Sequence, residues 1–199
     1  YSSAASDVYK RQRYQYSNTG YILLGQIIEK VSNNKINDYL NKKVFTKAKL
    51  FNTYVNDEGK TIIPNRAYGH ILDNNQLIVK DQYWCSATIG DGGLYSNITD
   101  LNKWIDYLLG DDFDKLKSTM FLPNVFDEKT NSYYGLGMRI INVNGCDIYY
   151  HCGDTIGTNT FILFSKDLNL RCIFLTNLGN IDTAVSYTHL RAHETLANL

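Results

Sequence analysis

The dipeptide Asn144-Gly145 divides two apolar-rich runs, Gly135 to Val143 and Cys146 to His151. Asn-Gly accepts the positive φ angles of a two-residue type I′ turn, whose twist matches that of paired strands. The two runs are therefore expected to form a hairpin. Two further strand-like runs follow, Thr160 to Ser165 and Leu170 to Thr176, joined by the turn residues Lys166 to Asn169. Connections this short leave no room for a crossover helix, so these strands are expected to be antiparallel neighbours in a meander.

The preceding part of the chain has a helical period. Leu24, Ile27, Ile28 and Val31 follow the i, i+3, i+4, i+7 rule, predicting a helix that begins just after Asn18, buries those residues and ends at Ser32-Asn33-Asn34. A short helix is expected from Ile36 to Lys43, burying Ile36 and Leu40. Residues 46–91, interrupted by Asn, Asp, Lys and Pro64, read as surface loops with short extended pieces. Gly92-Gly93 predicts a tight backbone passage. Thr99 or Asp100 then caps a helix with Leu101, Trp104, Ile105, Leu108 and Leu109 on one face, ended by Gly110. Another short helix is expected from Asp111 to Met120, with Phe113 and Leu116 inward and Pro123 closing it. Helices first and a sheet afterwards, without βαβ alternation, predict an α+β domain.

With 199 residues the chain is long enough for one domain with a substantial core. Twenty Lys+Arg balance twenty Asp+Glu, which argues against nucleic acid or an acidic membrane as a partner. No apolar run approaches the roughly 20 residues of a membrane span. Cys85, Cys146, Cys152 and Cys172 lack C-x-x-C spacing. They read as reduced, mostly buried thiols. A disulfide among them is possible, with a pairing the sequence does not specify, and a zinc site is not expected. Residues 1–12 and 185–199 have no apolar period that fits their neighbours and resemble translated adapter or vector text. They are set apart as non-native, leaving 13–184 as the domain. On that reading the natural protein extends past both ends, and His189 and His193 are not ligand candidates.

Two clusters carry candidate chemistry. Tyr16 and Asn18 stand two residues apart at the helix entry. A phenol with a pKa near 10 becomes a useful acid/base only beside a cation or within a proton relay. A carboxamide can contact a substrate carbonyl. The alternative is a packed Tyr and a capping Asn. His151 ends a strand run and is followed by Gly153, which lets a ligand approach the backbone. His151 can donate to a substrate carboxylate or carbonyl, or it can be a satisfied strand-end histidine. His70 lies in a loop-like stretch and reads as structural.

The longer context adds to this. YQYSNTGYILLGQIIEKVSNNKINDYL resembles the Tyr-x-Asn region of the β-lactamase-related serine hydrolases, which include class C β-lactamases, D-Ala-D-Ala carboxypeptidases and esterases. IGDGGLYSNITDLNKWIDYLL is similar to their Gly-Gly-Leu-Tyr-Ser segment, and YYGLGMRI to their Gly-x-Gly strand. YYHCGDTIGTNTFILFSKDLNLRCIFLTNLGN resembles their His-x-Gly strand, hairpin and Thr-Asn strand end. Four weak motifs in order, over about residues 14–180, make a specific signal.

The resemblance implies the penicillin-recognising fold, an antiparallel sheet flanked by helices, with three or four central strands in this chain. It makes Tyr16 the catalytic acid/base phenol and Asn18 a substrate and proton-network contact. It puts His151 where relatives have Lys or His, and Gly153 and Asp154 beside the substrate, the Asp154 N–H as an oxyanion donor. No metal or organic cofactor is implied, and the partner is a small-molecule or peptide substrate. Exported or surface enzymes are common in the family.

One departure is serious. The family's Ser-x-x-Lys, which supplies the nucleophile and its activating lysine, belongs upstream of Tyr16. The one literal match, Ser32-Asn33-Asn34-Lys35, follows Tyr16 in a polar loop and reads as coincidence. The chain is thus expected to be an inactive fragment of an acyl-serine hydrolase, lacking the nucleophile helix, the N-terminal strands and the covering terminal helix, with an apolar sheet face left bare. A non-catalytic binding or regulatory relative is the competing class. Tyr16, Asn18 and His151 together favour the enzyme.

Overall fold

The computed structural model describes residues 14–56, 61–82, 88–111 and 114–180. Helix α1 spans Asn18–Ser32 and α2 Ile36–Leu40. A π-helical turn, Asn41–Phe45, leads into α3, Thr46–Ala48. Strands β1 (Tyr54–Val55), β2 (His70–Asp73), β3 (Gln76–Val79) and β4 (Leu94–Tyr95) precede helices α4 (Ile98–Leu109) and α5 (Asp114–Met120). Six strands close the order: β5 (Val125–Asp127), β6 (Ser132–Tyr134), β7 (Arg139–Val143), β8 (Cys146–Thr155), β9 (Thr158–Ser165) and β10 (Leu170–Thr176). The α+β class expected from sequence is the one observed.

The six strands form one antiparallel sheet in the order β10-β9-β8-β7-β6-β5. Asn144 (φ 53°) and Gly145 (φ 85°) make the anticipated turn, and Val143 pairs with Cys146 across it. The meander is longer than the three or four strands expected, because β5 and β6, three residues each, are too short to show a period. The run from Gly135 is not all strand either. The Gly135 N–H donates to the Met138 carbonyl at 2.9 Å, which turns residues 135–138 and delays β7 to Arg139.

Helix α4 lays Ile105 and Leu108 on one sheet face, against Met138 and Phe164, with Trp104 and Leu109 alongside. The other face holds Ile148, Tyr150, Phe161 and Leu163, each only 3% exposed. The central strands therefore have no bare apolar face, contrary to expectation. Cys152 and Cys172 are exposed and Cys146 half-buried, so these thiols are less buried than expected and all three are free. Cys85 lies outside the described residues.

Three helix readings need correction. The cap of α4 is Asn97, whose Oδ1 accepts from the Asp100 N–H at 2.9 Å. Asp100 instead turns inward. In α1 three of the four residues of the anticipated buried stripe are exposed, Leu24 at 53%, Ile27 at 54% and Val31 at 82%, and Ile28 is half-buried. This helix makes its contact through Gly25, where a Cβ would lie 3.3 Å from the Ile89 carbonyl oxygen. The residue without a side chain sets the inward face. In α5, Leu116 is exposed, and the core contact passes to Met120 and Phe121. Phe113 lies outside the described residues.

Within the stretch read as surface loops with short extended pieces, residues 70–79 form the hairpin β2–β3, turned by Asn74 (φ 46°) and Asn75 (φ 61°). The hairpin is fastened to the sheet by backbone. The His70 N–H lies 3.1 Å from the Gly157 carbonyl oxygen and 2.9 Å from that of Asn177, and the Gly179 N–H donates to the His70 carbonyl at 2.7 Å. At Gly157 (φ 82°), in the β8–β9 turn, a Cβ would fall 1.9 Å from the Lys80 carbonyl oxygen. Gly69 and Gly179 are its immediate neighbours. Main chain meets main chain here, so a side chain would separate hairpin and sheet.

The second fastening is Asp100, fully buried at the start of α4. Its Oδ2 accepts from the Asn52 N–H at 2.7 Å and the Thr53 hydroxyl at 3.1 Å, and its Oδ1 from Lys103 at 2.9 Å. Burial pushes its pKa up, but the hydrogen bonds from Lys103, Asn52 and Thr53 outweigh it and hold the carboxyl below the usual range. A depressed folded-state pKa stabilises the fold above the unfolded value, near 3.9. That stabilisation disappears as pH falls through the folded value.

Two predictions follow from these fastenings. Asp100→Ala should lose about 2–3 kcal/mol of stability at pH 7, read by urea unfolding, and the difference from wild type should shrink below about pH 4. Gly157→Ala combines a left-handed backbone with overpacking and should lose about 3 kcal/mol or more. An unchanged urea midpoint in the alanine variant would show that the hairpin does not depend on this contact.

Candidate active site

The site begins where one strand outruns another. Pairing between β7 and β8 ends at Arg139↔Tyr150, whereas β8 stays paired to β9 as far as Thr155↔Thr158. Residues 151–155 therefore have a strand neighbour on the β9 side and, among the described residues, none on the β7 side. Tyr16 and Tyr134 stand beside that overhang.

Tyr16 enters just ahead of α1. Ser17 is the cap, its Oγ accepting from the Gly20 N–H at 3.1 Å. Asn18 is the first helical residue and is exposed, so its carboxamide is not spent on capping. The ring of Tyr16 lies 6.3 Å from that of His151 and 6.2 Å, edge to face, from that of Tyr134. Burial is the main cause that pushes the Tyr16 phenol above its ordinary pKa. Tyr21 and Asp91 add to it, and Arg139 opposes it.

The loop beside α1 is held against it by glycine. At Gly90 (φ 121°) a Cβ would lie 2.4 Å from the Tyr21 carbonyl oxygen. The tight passage expected at Gly92-Gly93 thus lies at Gly90 and Gly93, since no atom stands within 4 Å of a Cβ at Gly92.

His151 is half-buried, its Nε2 3.2 Å from the Tyr134 hydroxyl. Burial lowers its pKa, a backbone hydrogen bond to Cys152 raises it, and Arg139 lowers it again. The net result favours the neutral ring. Gly153 sits opposite Thr160, where a Cβ would approach the Thr160 Oγ1 to 2.4 Å. A side chain at 153 would therefore require the Thr160 hydroxyl to rotate away. The Asp154 side chain is tied to β9, its Oδ1 accepting from Asn159 Nδ2 at 3.0 Å. What Asp154 offers to the cleft is therefore its backbone.

Sequence reading missed Tyr14, Tyr21, Tyr134 and Arg139. Arg139 Nη1 donates to Asp127 Oδ2 at 2.8 Å, Thr130 Oγ1 at 2.7 Å and Ser132 Oγ at 3.2 Å. Its Nη2 reaches the Tyr14 hydroxyl at 3.4 Å, and its guanidinium lies 5.5 Å from the ring centres of both Tyr14 and Tyr134. Burial pushes the Asp127 carboxyl up, but Arg139, Thr130 and the Lys129 N–H hold it low. Arg139 thus pins the segment carrying Tyr16 onto the sheet. The available signal was YYGLGMRI, whose tyrosine and arginine flank the Gly-x-Gly turn.

The fold brings Tyr16 beside His151, with Gly153 and Asp154 farther along the same strand and Asn18 exposed two residues after Tyr16. It does not bring Ser32 and Lys35 there. Ser32 ends α1, a helix about 22 Å long, and Lys35 follows it, with the Ser32 Oγ accepting from the Asn34 N–H at 3.3 Å in a local turn. His70 is a fastening of the β2–β3 hairpin. Among the described residues no group of three or more His, Cys, Asp or Glu could hold a metal, and no helix is long and apolar enough to cross a membrane.

Comparison with known proteins bears on the family and the fold. The family model described as Beta-lactamase matches residues 3–196. Penicillin-binding protein 4* of Bacillus subtilis (strain 168) is 28% identical over 197 residues, covering 91% of this chain and 43% of that protein. Among solved structures, the octameric penicillin-binding protein homologue from Pyrococcus abyssi superposes with a TM-score of 0.76 at 25% identity, covering 92% of this chain and 43% of that one. The penicillin binding protein from Bacillus halodurans gives 0.74 at 22% identity, over 89% of this chain and 56% of that one. D-amino acid amidase from Ochrobactrum anthropi SV3 gives 0.70 at 21%, over 91% of this chain and 57% of that one. The chain therefore spans about half the length of the relatives it matches. The fold is that of the penicillin-binding and β-lactamase-like proteins, and the chain belongs to the Beta-lactamase family.

Proposed function

We propose that this chain carries two walls of the acylation cleft of a serine hydrolase, and that the serine and its activating lysine belong to sequence outside these 199 residues. The observation that supports it best is the 6.3 Å approach of the Tyr16 and His151 rings, from opposite ends of the sequence, at an open strand edge. In the whole protein the nucleophile's Oγ bonds to the acyl carbon, and its proton passes to the base network. The leaving amine or alcohol departs with a proton relayed through Tyr16. Water then takes the serine's place as attacker and frees the acid. Asn18 contacts the substrate, and the Asp154 N–H at the strand edge is one oxyanion donor. The substrate class is a β-lactam, a D-amino-acid peptide or an ester, in keeping with relatives named for penicillin binding and D-amino acid amidase activity.

The chain alone is expected to be inactive. Tyr16 has its phenol pushed up by burial, and the cation acting on it, Arg139, is already bound to Asp127. Incubated with a fluorophosphonate or a fluorescent penicillin, the 199-residue chain should show no covalent adduct by intact mass. A protein extended upstream through a Ser-x-x-Lys should be labelled once, at that serine. An adduct on any serine of the present chain would overturn this assignment. An extended protein that binds penicillin reversibly without acylation would favour the non-catalytic reading instead. In a labelled, extended protein, Tyr16→Phe should slow acylation by about 10²–10⁴-fold, and a rate within threefold of wild type would remove Tyr16 from the mechanism.

A further inference from the structure

Residues 14–17, which lead into α1, are neither helix nor strand. The Tyr16 side chain is 45% exposed. Among the described residues it lies against the rings of Tyr134 and His151 and makes no hydrogen bond. Two ring contacts do not fix a phenol on an irregular segment, because that backbone keeps its entropy unless other contacts offset it. The contact that holds the segment is made two residues earlier, by Tyr14.

The Tyr14 ring is half-buried, its centre 5.1 Å from that of Tyr134. The Arg139 guanidinium lies 5.5 Å from both ring centres, so aromatic pairing and cation–π attraction act on the same ring. Arg139 Nη2 also reaches the Tyr14 hydroxyl at 3.4 Å. A guanidinium only donates, so the direction of that bond is fixed. Among the described residues it is the one hydrogen bond that joins residues 14–17 to the sheet. The cation is itself immobile. Its acceptors Asp127 and Ser132 are buried and pair with each other across the β5–β6 hairpin, and Asp127 Oδ1 is held by the Lys129 N–H at 3.1 Å. Tyr14 therefore rests on a hairpin turn, not on a free side chain.

We propose that Tyr14 is the positioning residue for Tyr16: the Asp127–Arg139 pair holds the Tyr14 ring on Tyr134, and the single intervening residue, Gln15, passes that constraint to the phenol beside His151. On the hydrolase reading, on which its functional meaning rests, Tyr14 acts on the acylation step through Tyr16 alone. Its ring does the holding, and its hydroxyl adds little.

The first arm of the test needs no turnover. In the isotope-labelled full chain, the ring protons of Tyr16 and His151 should give a nuclear Overhauser cross-peak, assigned by its loss in Tyr16→Leu and in His151→Gln. Tyr14→Leu removes the anchoring ring and should abolish that cross-peak while the one between Tyr134 and His151 persists. Tyr14→Phe keeps the ring over Arg139 and should retain both. The second arm uses the protein extended upstream through a Ser-x-x-Lys, with a fluorescent penicillin. There Tyr14→Leu should slow acylation by about 10–100-fold with reversible binding unchanged, and Tyr14→Phe should restore the rate. Absence of the Tyr16–His151 cross-peak from the folded wild-type chain would overturn the proposal by itself, even if Tyr14→Leu failed to fold. So would a folded Tyr14→Leu variant that keeps the cross-peak or acylates at the wild-type rate. Equal losses in the Leu and Phe variants would overturn it too. Failure of the extended wild-type protein to be acylated would sink the hydrolase reading and leave the cross-peak result standing.

Discussion

The cleft depends on a mismatch in strand length. Strand β8 has ten residues and β7 only five, and the Asn144-Gly145 turn fixes which five are paired. Everything past Tyr150 on β8 must overhang. Were β7 longer at its start, its backbone would fill the edge where His151, Gly153 and Asp154 now stand. The Gly135–Met138 turn prevents this, because it spends on reversal the residues that would have extended β7. It also delivers Tyr134 on one side and Arg139 on the other. One short turn therefore opens the edge and furnishes two of the side chains around it.

Electrostatics in this region serve assembly before chemistry. The guanidinium of Arg139 lies between two tyrosine rings and donates to a carboxylate and two hydroxyls. Most of its donors are engaged, so its charge acts on Tyr16 only at a distance. Burial then governs the phenols: Tyr14, Tyr16 and Tyr134 are all pushed above their ordinary values, and the neighbouring imidazole is pushed below its own. Tyr14, Tyr16, Tyr134 and His151 are thereby biased to their uncharged forms.

The parts legible in sequence were those fixed by local chemistry. The Asn-Gly turn, the run of strands after it and the Ile105/Leu108 face of α4 depend on neighbours in sequence, and they appear where the residues put them. Tyr16, Asn18, His151, Gly153 and Asp154 are candidates because family motifs mark them, and the fold puts Tyr16 beside the strand that carries the last three. The misreadings share a different cause. The α1 stripe looked like a core face, but Gly25 meets the Ile89 carbonyl and turns Leu24 and Ile27 to solvent. Asp100 looked like a cap until its carboxylate was claimed by Asn52 and Thr53, far away in sequence. For Tyr134 and Arg139 the sequence offers only their place on either side of the Gly-x-Gly turn, and their roles come from which residues the sheet register places beside them.

The meeting of Gly69, Gly157 and Gly179 has a consequence for descent. A Cβ at any of the three would fall within 3.0 Å of another chain segment's backbone. No single replacement can be relieved by a rotamer change, because the obstructing atoms are main chain. Drift at these sites is closed unless the β2–β3 hairpin shifts or is lost, so homologues should differ in blocks: all three glycines retained together with the hairpin, or all three free to vary where it is absent.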